Sequence, residues 1–134
     1  MTRWRSLMFG AATFLVAHLI ERSTWSSLFA GSAATPWFMN AFRAGAFTAL
    51  LLWLVAGLTA ARDVGDALVR GLNVGLGAAA AMIVVLAVIG PGTLFPIVIA
   101  VGTAIVVTAS VSGALAGAIV RGARRARPPH APPS

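Results

Sequence analysis

Residues 68–89, LVRGLNVGLGAAAAMIVVLAVI, form an apolar run that holds a single charged side chain, Arg70. As an α-helix, a run of this length covers about 33 Å, enough to cross a hydrocarbon core of roughly 30 Å. The turn sequence GPGT follows at 90–93, and a second apolar run occupies 94–120. The pattern predicts two transmembrane helices that form an antiparallel hairpin.

The composition of the whole chain is also typical of a membrane protein. Of the 134 residues, 59% are hydrophobic and 10% are charged, whereas roughly 25% are charged in an ordinary soluble domain. The chain has no cysteine, which excludes disulfides and thiolate metal sites. The ten basic residues are all arginine, a feature typical of genomes with high GC content, and we expect a protein of a bacterial cytoplasmic (inner) membrane.

Two further apolar segments complete the expected bundle. The first is 4–25, and the second begins at Thr35 and Pro36, which have the pattern of an N-cap and a first helical residue. The segment between them mixes small polar residues with tryptophan and phenylalanine, as is typical of a loop at the headgroup level. We therefore predict an all-α membrane protein with a transmembrane domain over 1–120, whose four spans are 4–25, 36–61, 68–89 and 94–120.

The distribution of arginine predicts the orientation of these spans. If the N-terminus is cytoplasmic, eight arginines lie on the cytoplasmic side, namely Arg3, Arg5, Arg62, Arg70, Arg121, Arg124, Arg125 and Arg127. Arg22 and Arg43 then lie outside, which is the bias of the positive-inside rule. We expect both termini in the cytoplasm, with the basic, proline-rich segment 121–134 as a disordered tail near anionic lipid. Nucleic-acid binding is the alternative for this tail, and we do not expect a nucleic-acid partner.

The sequence AHLIER at 17–22 contains the most conspicuous polar cluster. Glu21 and Arg22 lie three and four positions after His18, so the three residues share one face of a helix. One interpretation is a proton relay, with Arg43 as a fourth member that enters from the same outer side. The other interpretation, which we favour, is that these residues mark the exit of the first helix into the outer headgroup layer.

Small residues give the most specific pattern in the chain. The sequences GLNVG at 71–75 and GALAG at 113–117 are both GxxxG motifs, which allow helix backbones to approach closely in lipid. Gly71, Gly75, Gly113 and Gly117 are therefore the predicted helix-packing residues. The two pairs are expected either to face each other across the hairpin or to face a partner chain. Asn73 is expected to form an interhelical hydrogen bond.

The chain has no combination of residues that indicates catalysis, so we expect no enzyme activity, no cofactor and no metal site. Asp63 and Asp66 have a spacing found in divalent-ion sites, but the only other carboxylate, Glu21, is expected on the opposite side of the membrane. The favoured function is a non-catalytic accessory or structural subunit that packs against other membrane subunits or a second copy of itself. The alternative is a small oligomeric transporter, flippase or channel, with Thr103, Thr108, Ser110 and Ser112 along its path.

Overall fold

A computed structural model describes the backbone of residues 3–28, 37–59, 63–89 and 95–126, and the side chains of 3–21, 45–59, 63–88 and 96–126. Within these ranges the chain is all-helical and contains no strand. The four helices are α1 (Arg3–Leu28), α2 (Trp37–Leu58), α3 (Val64–Ile89) and α4 (Phe95–Ala126). The expectation of an all-α chain is confirmed for this part of the molecule.

The helix ends differ from the predicted spans. Helix α1 continues to Leu28, and α3 begins at Val64, where the amide of Ala67 donates to the carbonyl of Asp63 at 2.9 Å and closes the first turn. Helix α4 continues to Ala126, so the first six residues of the segment predicted to be a disordered tail are helical. The rest of that tail, the GPGT turn and Thr35–Pro36 lie outside the described residues.

Two of the helices are long and apolar enough to cross a membrane. They are α3, over Val64–Val88, and α4, over Pro96–Ala126. In α2, the described part of the apolar run is shorter, Gly45–Leu58. By length and composition, the described residues therefore provide two candidate membrane spans within a four-helix fold.

The helices form a ring in which α1 packs on α3, α3 on α4, and α4 on α2, while a smaller contact between α1 and α2 closes the ring. Arg3 and Ser6, at the start of α1, line one pocket with Asp66 and Arg70, near the start of α3, so these helices are parallel. Helices α3 and α4 run antiparallel, because Gly75 meets Val107 whereas Met82 meets Gly102. Helices α2 and α4 are parallel in turn.

This arrangement places the starts of α1 and α3 and the ends of α2 and α4 at one end of the bundle. We call it the basic end, because it holds every arginine whose side chain the structure describes, namely Arg3, Arg5, Arg70, Arg121, Arg124 and Arg125. The first and last described residues of the chain also lie here. The six described arginines therefore lie at one end of the folded bundle.

Small side chains fill the interior, and large apolar side chains lie outside. The buried cluster consists mostly of alanine, with Leu52, Val74 and Val106 as its larger members. Exposed large hydrophobic residues occur on all four helices, including Leu19, Leu54, Val84 and Ile105 among many others. This distribution suits a lipid environment, where helix association depends on close backbone approach instead of hydrophobic burial.

Candidate functional site

Gly71 and Gly75 lie in the contact between α3 and α4. A methyl group placed on Gly71 would come within 2.9 Å of the Cα of Val111, and one on Gly75 within 2.7 Å of the Cα of Val107. Carbon atoms in favourable contact are about 3.5–4.0 Å apart. The two backbones thus approach at a distance that only glycine permits.

Gly113 and Gly117 lie in a different contact, between α4 and α2. A methyl group on Gly113 would lie 2.8 Å from the Cα of Trp53, and one on Gly117 would lie 2.9 Å from the Cα of Gly57. The two GxxxG pairs therefore do not face each other. On α4, residues 107, 111 and 114 form one stripe and residues 113 and 117 form another, so the helix packs on α3 and α2 through separate faces.

A third close contact, between α1 and α3, was missed by the sequence analysis. Methyl groups placed on Gly10 and Gly77 would each lie 2.7 Å from a carbonyl carbon of the facing helix, that of Val74 and that of Leu7 respectively. The available signal was weak, because Gly10 has no second glycine four residues away. All three extensive helix contacts of the bundle are thus built on glycine.

Asn73 lies on a different side of α3 from Gly71. Two residues correspond to a rotation of about 200° around a helix, so Asn73 points away from the contact with α4. Its half-buried side chain lines a polar pocket between α1 and α3. Asn73 therefore lies at the polar pocket and not in the glycine contact between α3 and α4.

The structure places Glu21 against α2. Its side chain is 9% exposed, and its Oε1 accepts a hydrogen bond from the Thr48 hydroxyl at 3.0 Å. Glu21 lies about two turns before the end of α1 and Thr48 about three turns after the start of α2. The side chain of Glu21 is consequently enclosed between α1 and α2.

Of the other members of the predicted outer cluster, His18 is the one whose side chain the structure describes. His18 is half-buried, and its ring stacks on Phe14 with centroids 6.3 Å apart and planes 6° apart. The side chains of Arg22 and Arg43 lie outside the described residues. The polar contact that the structure does show, between Glu21 and Thr48, involves a threonine that the sequence analysis had not singled out.

Two arginines cap the C-terminal end of α2. The guanidinium of Arg121, from α4, donates to the carbonyl of Leu58, and that of Arg70, from α3, donates to the carbonyl of Thr59 at 3.5 Å. The last carbonyls of a helix have no partner within the helix and carry partial negative charge, so cationic donors stabilise them. These contacts join three helices at the basic end.

The polar pocket also lies at the basic end. It has a volume of about 330 Å³ and is lined by Arg3, Ser6, Asp66, Val69, Arg70 and Asn73. Arg3 and Asp66 are exposed, whereas Ser6 is almost completely buried in the wall. The pocket thus combines two guanidinium groups, one carboxylate, a hydroxyl and an amide at the point where α1 and α3 begin.

Among the residues that the structure describes, no three histidine, aspartate or glutamate side chains form a group able to hold a metal ion. The four hydroxyl residues of α4 do not share one face: Ser110 is buried and donates to the carbonyl of Val106 at 2.8 Å, whereas Thr108 and Ser112 are exposed.

Comparison of the chain with protein-family models, with curated proteins and with solved structures found no match.

Proposed function

We propose that this chain is a small multi-pass protein of a bacterial cytoplasmic membrane and acts as a non-catalytic accessory or structural subunit. In this proposal all four helices span the membrane and both termini face the cytoplasm. The subunit packs against other membrane proteins or further copies of itself, with lipid over the rest of its surface.

The observation that carries the proposal is the distribution of side-chain size. The interior is closed by alanine and by glycine-mediated backbone contacts, while large apolar side chains point outward on every helix. In the described residues, small side chains fill the space between the helices away from the polar pocket, and the outer surface suits lipid or apolar helices of a partner. A packing role follows more directly from this geometry than a role in catalysis.

The basic end supports the proposed orientation. Positive charge is retained on the cytoplasmic side during insertion, and the arginines whose side chains the structure describes lie together at the end that holds Arg3 and Ala126, the first and last described residues. Single cysteines at Ser32 and Ser134 test this orientation. We expect a membrane-impermeant thiol reagent to label Ser32→Cys in intact cells and Ser134→Cys only after permeabilisation. External labelling of Ser134→Cys would contradict the proposed topology.

The subunit role is tested by purifying the chain from membranes in native nanodiscs and identifying the proteins that accompany it. We expect a partner or a second copy in stoichiometric amount. Gly45→Leu provides a specific probe, because a methyl group on Gly45 meets no atom of the described residues within 4 Å. Loss of assembly in this variant with unchanged thermal stability would locate a contact outside the chain. Ala104→Leu, at an exposed position on α4, is the control.

If the wild-type chain is recovered alone, as a monomer, under conditions that preserve known membrane complexes, the subunit proposal is wrong.

A small oligomeric transporter is the second candidate function. The enclosed Glu21 carboxylate favours it, since ionisable groups inside a membrane commonly serve ion or proton pathways. Proteoliposomes would distinguish the two functions. A transport signal that depends on pH in wild type and is lost in Glu21→Gln would support the transporter.

A further inference from the structure

We propose that the polar pocket between α1 and α3 binds a phosphate group, in the first instance the phosphodiester of a phospholipid headgroup. The inference rests on the proposed membrane placement, which puts the basic end at the level of the cytoplasmic headgroups. It goes further by naming a ligand class and a site for a chain otherwise described as a packing subunit.

The donors in the pocket match the chemistry of a phosphate. Arg3 and Arg70 provide guanidinium groups, which bind phosphate oxygens through paired, charge-assisted hydrogen bonds. Arg70 lines the pocket, and of its five N–H donors the hydrogen bond to the carbonyl of Thr59 uses one. The Asn73 amide adds a neutral donor.

The position of the pocket strengthens this match. Arg3 lies in the first turn of α1 and Asp66 in the first turn of α3, and the two helices are parallel. The positive ends of two helix dipoles therefore meet at the pocket, which favours an anion. A volume of about 330 Å³ leaves room for a phosphate with its immediate substituents.

Asp66 sets a limit on the charge of the ligand. Its carboxylate faces the same space as the two guanidinium groups, so the three charged side chains sum to +1. This sum balances a phosphodiester, which carries one negative charge. Removing the carboxylate in Asp66→Asn should strengthen binding of an anionic lipid, because a repulsive charge is lost.

The chain offers a matched pair of variants for the test. Arg3 and Arg5 are both exposed arginines in the first turn of α1, but only Arg3 lines the pocket. Arg3→Gln and Arg5→Gln therefore change the net charge equally. Arg3 forms no part of the glycine contacts, and both variants are checked for folding by circular dichroism.

The experiment is native mass spectrometry of the full-length chain in mild detergent, titrated with dioleoyl phosphatidylglycerol or with dioleoylglycerol, which lacks phosphate. We expect wild type and Arg5→Gln each to form one saturable phosphatidylglycerol adduct. Arg3→Gln should bind this lipid about tenfold more weakly, because it loses a charge-assisted contact worth roughly 1.4 kcal/mol. Dioleoylglycerol should bind weakly to all three forms.

Inorganic phosphate distinguishes the two sources of the ligand. If millimolar phosphate leaves the lipid adduct intact, the site takes a lipid headgroup; if phosphate displaces the adduct, the site is a phosphate site whose ligand is free in the cytoplasm. Equal binding by Arg3→Gln and Arg5→Gln, or equal binding of the two lipids, would overturn the inference. Because these measurements use the isolated chain, they are independent of whether a partner protein copurifies.

Discussion

The substitution Gly113→Ala tests the close contact between α4 and α2. The added methyl carbon would lie 2.8 Å from the Cα of Trp53, about 0.7 Å short of the lower limit of a favourable carbon–carbon contact. The clash is with backbone, so a side-chain rotation does not relieve it and the helices must separate. Overpacking of this kind typically costs about 1–3 kcal/mol.

Gly45→Ala is the matched control, because the same methyl group there meets nothing within 4 Å in the part of the chain that the structure describes. Replacing glycine with alanine inside a helix stabilises by roughly 0.5–1 kcal/mol when space is available. We therefore expect Gly113→Ala to melt below wild type in detergent and Gly45→Ala to melt at or above it, followed by circular dichroism. Membrane integration should be equal in both.

Gly113→Leu and Gly117→Leu extend this prediction. Each raises the hydrophobicity of α4, so insertion should be retained while thermal stability falls further. If Gly113→Ala and Gly45→Ala have the same stability, or if the two leucine variants melt like wild type, the argument that glycine sets the helix spacing is refuted.

Three further predictions concern the polar contacts. Arg121→Gln weakens the cap of α2 and should lower the free energy of unfolding by about 1 kcal/mol. Arg124→Gln is an equal charge change at an exposed position and should have little effect on the melting temperature. Equal melting temperatures of the two variants would contradict the capping role. Thr48→Val leaves the enclosed carboxylate of Glu21 without its observed donor and should cost about 1–3 kcal/mol, while Thr48→Ser retains the hydroxyl and should largely retain stability in chemical unfolding. His18→Ala should preserve insertion and assembly, because the described contact of the His18 ring is a stack on the Phe14 ring, worth roughly 0.5–1.5 kcal/mol. Loss of a pH-dependent transport signal in a folded His18→Ala protein would argue for a proton relay.

The apolar runs predicted the helices, because hydropathy is a property of each segment alone. The partner of each helix face was less predictable. GxxxG spacing identifies a close contact, but it does not say that Gly113 meets Trp53 while Gly71 meets Ser110 and Val111. That choice depends on the rotation of each helix, which is fixed by all neighbours together. Gly10 has only the weaker small-xxx-small spacing with Ser6 and no GxxxG partner.

The polar sites show the same limit. The spacing of His18 and Glu21 placed them on one helix, but whether Glu21 faces a headgroup or Thr48 depends on the position of α2. Capping of α2 by Arg121 joins residues more than sixty positions apart, and no short motif records it. The pocket likewise exists only because two parallel helices begin side by side.

The order of helices around the ring has a consequence for biogenesis. Helices that follow each other in the chain leave the ribosome in sequence, but α1 makes its larger contact with α3, and α2 makes its own with α4. The first hairpin to emerge therefore has only the small α1–α2 contact, with Gly10 and Gly57 still uncovered. At that stage of synthesis, the surfaces of α1 and α2 that later pack on α3 and α4 have no partner, because those helices are not yet translated. Assembly becomes complete when α4 arrives between α2 and α3, so the last helix made closes the bundle.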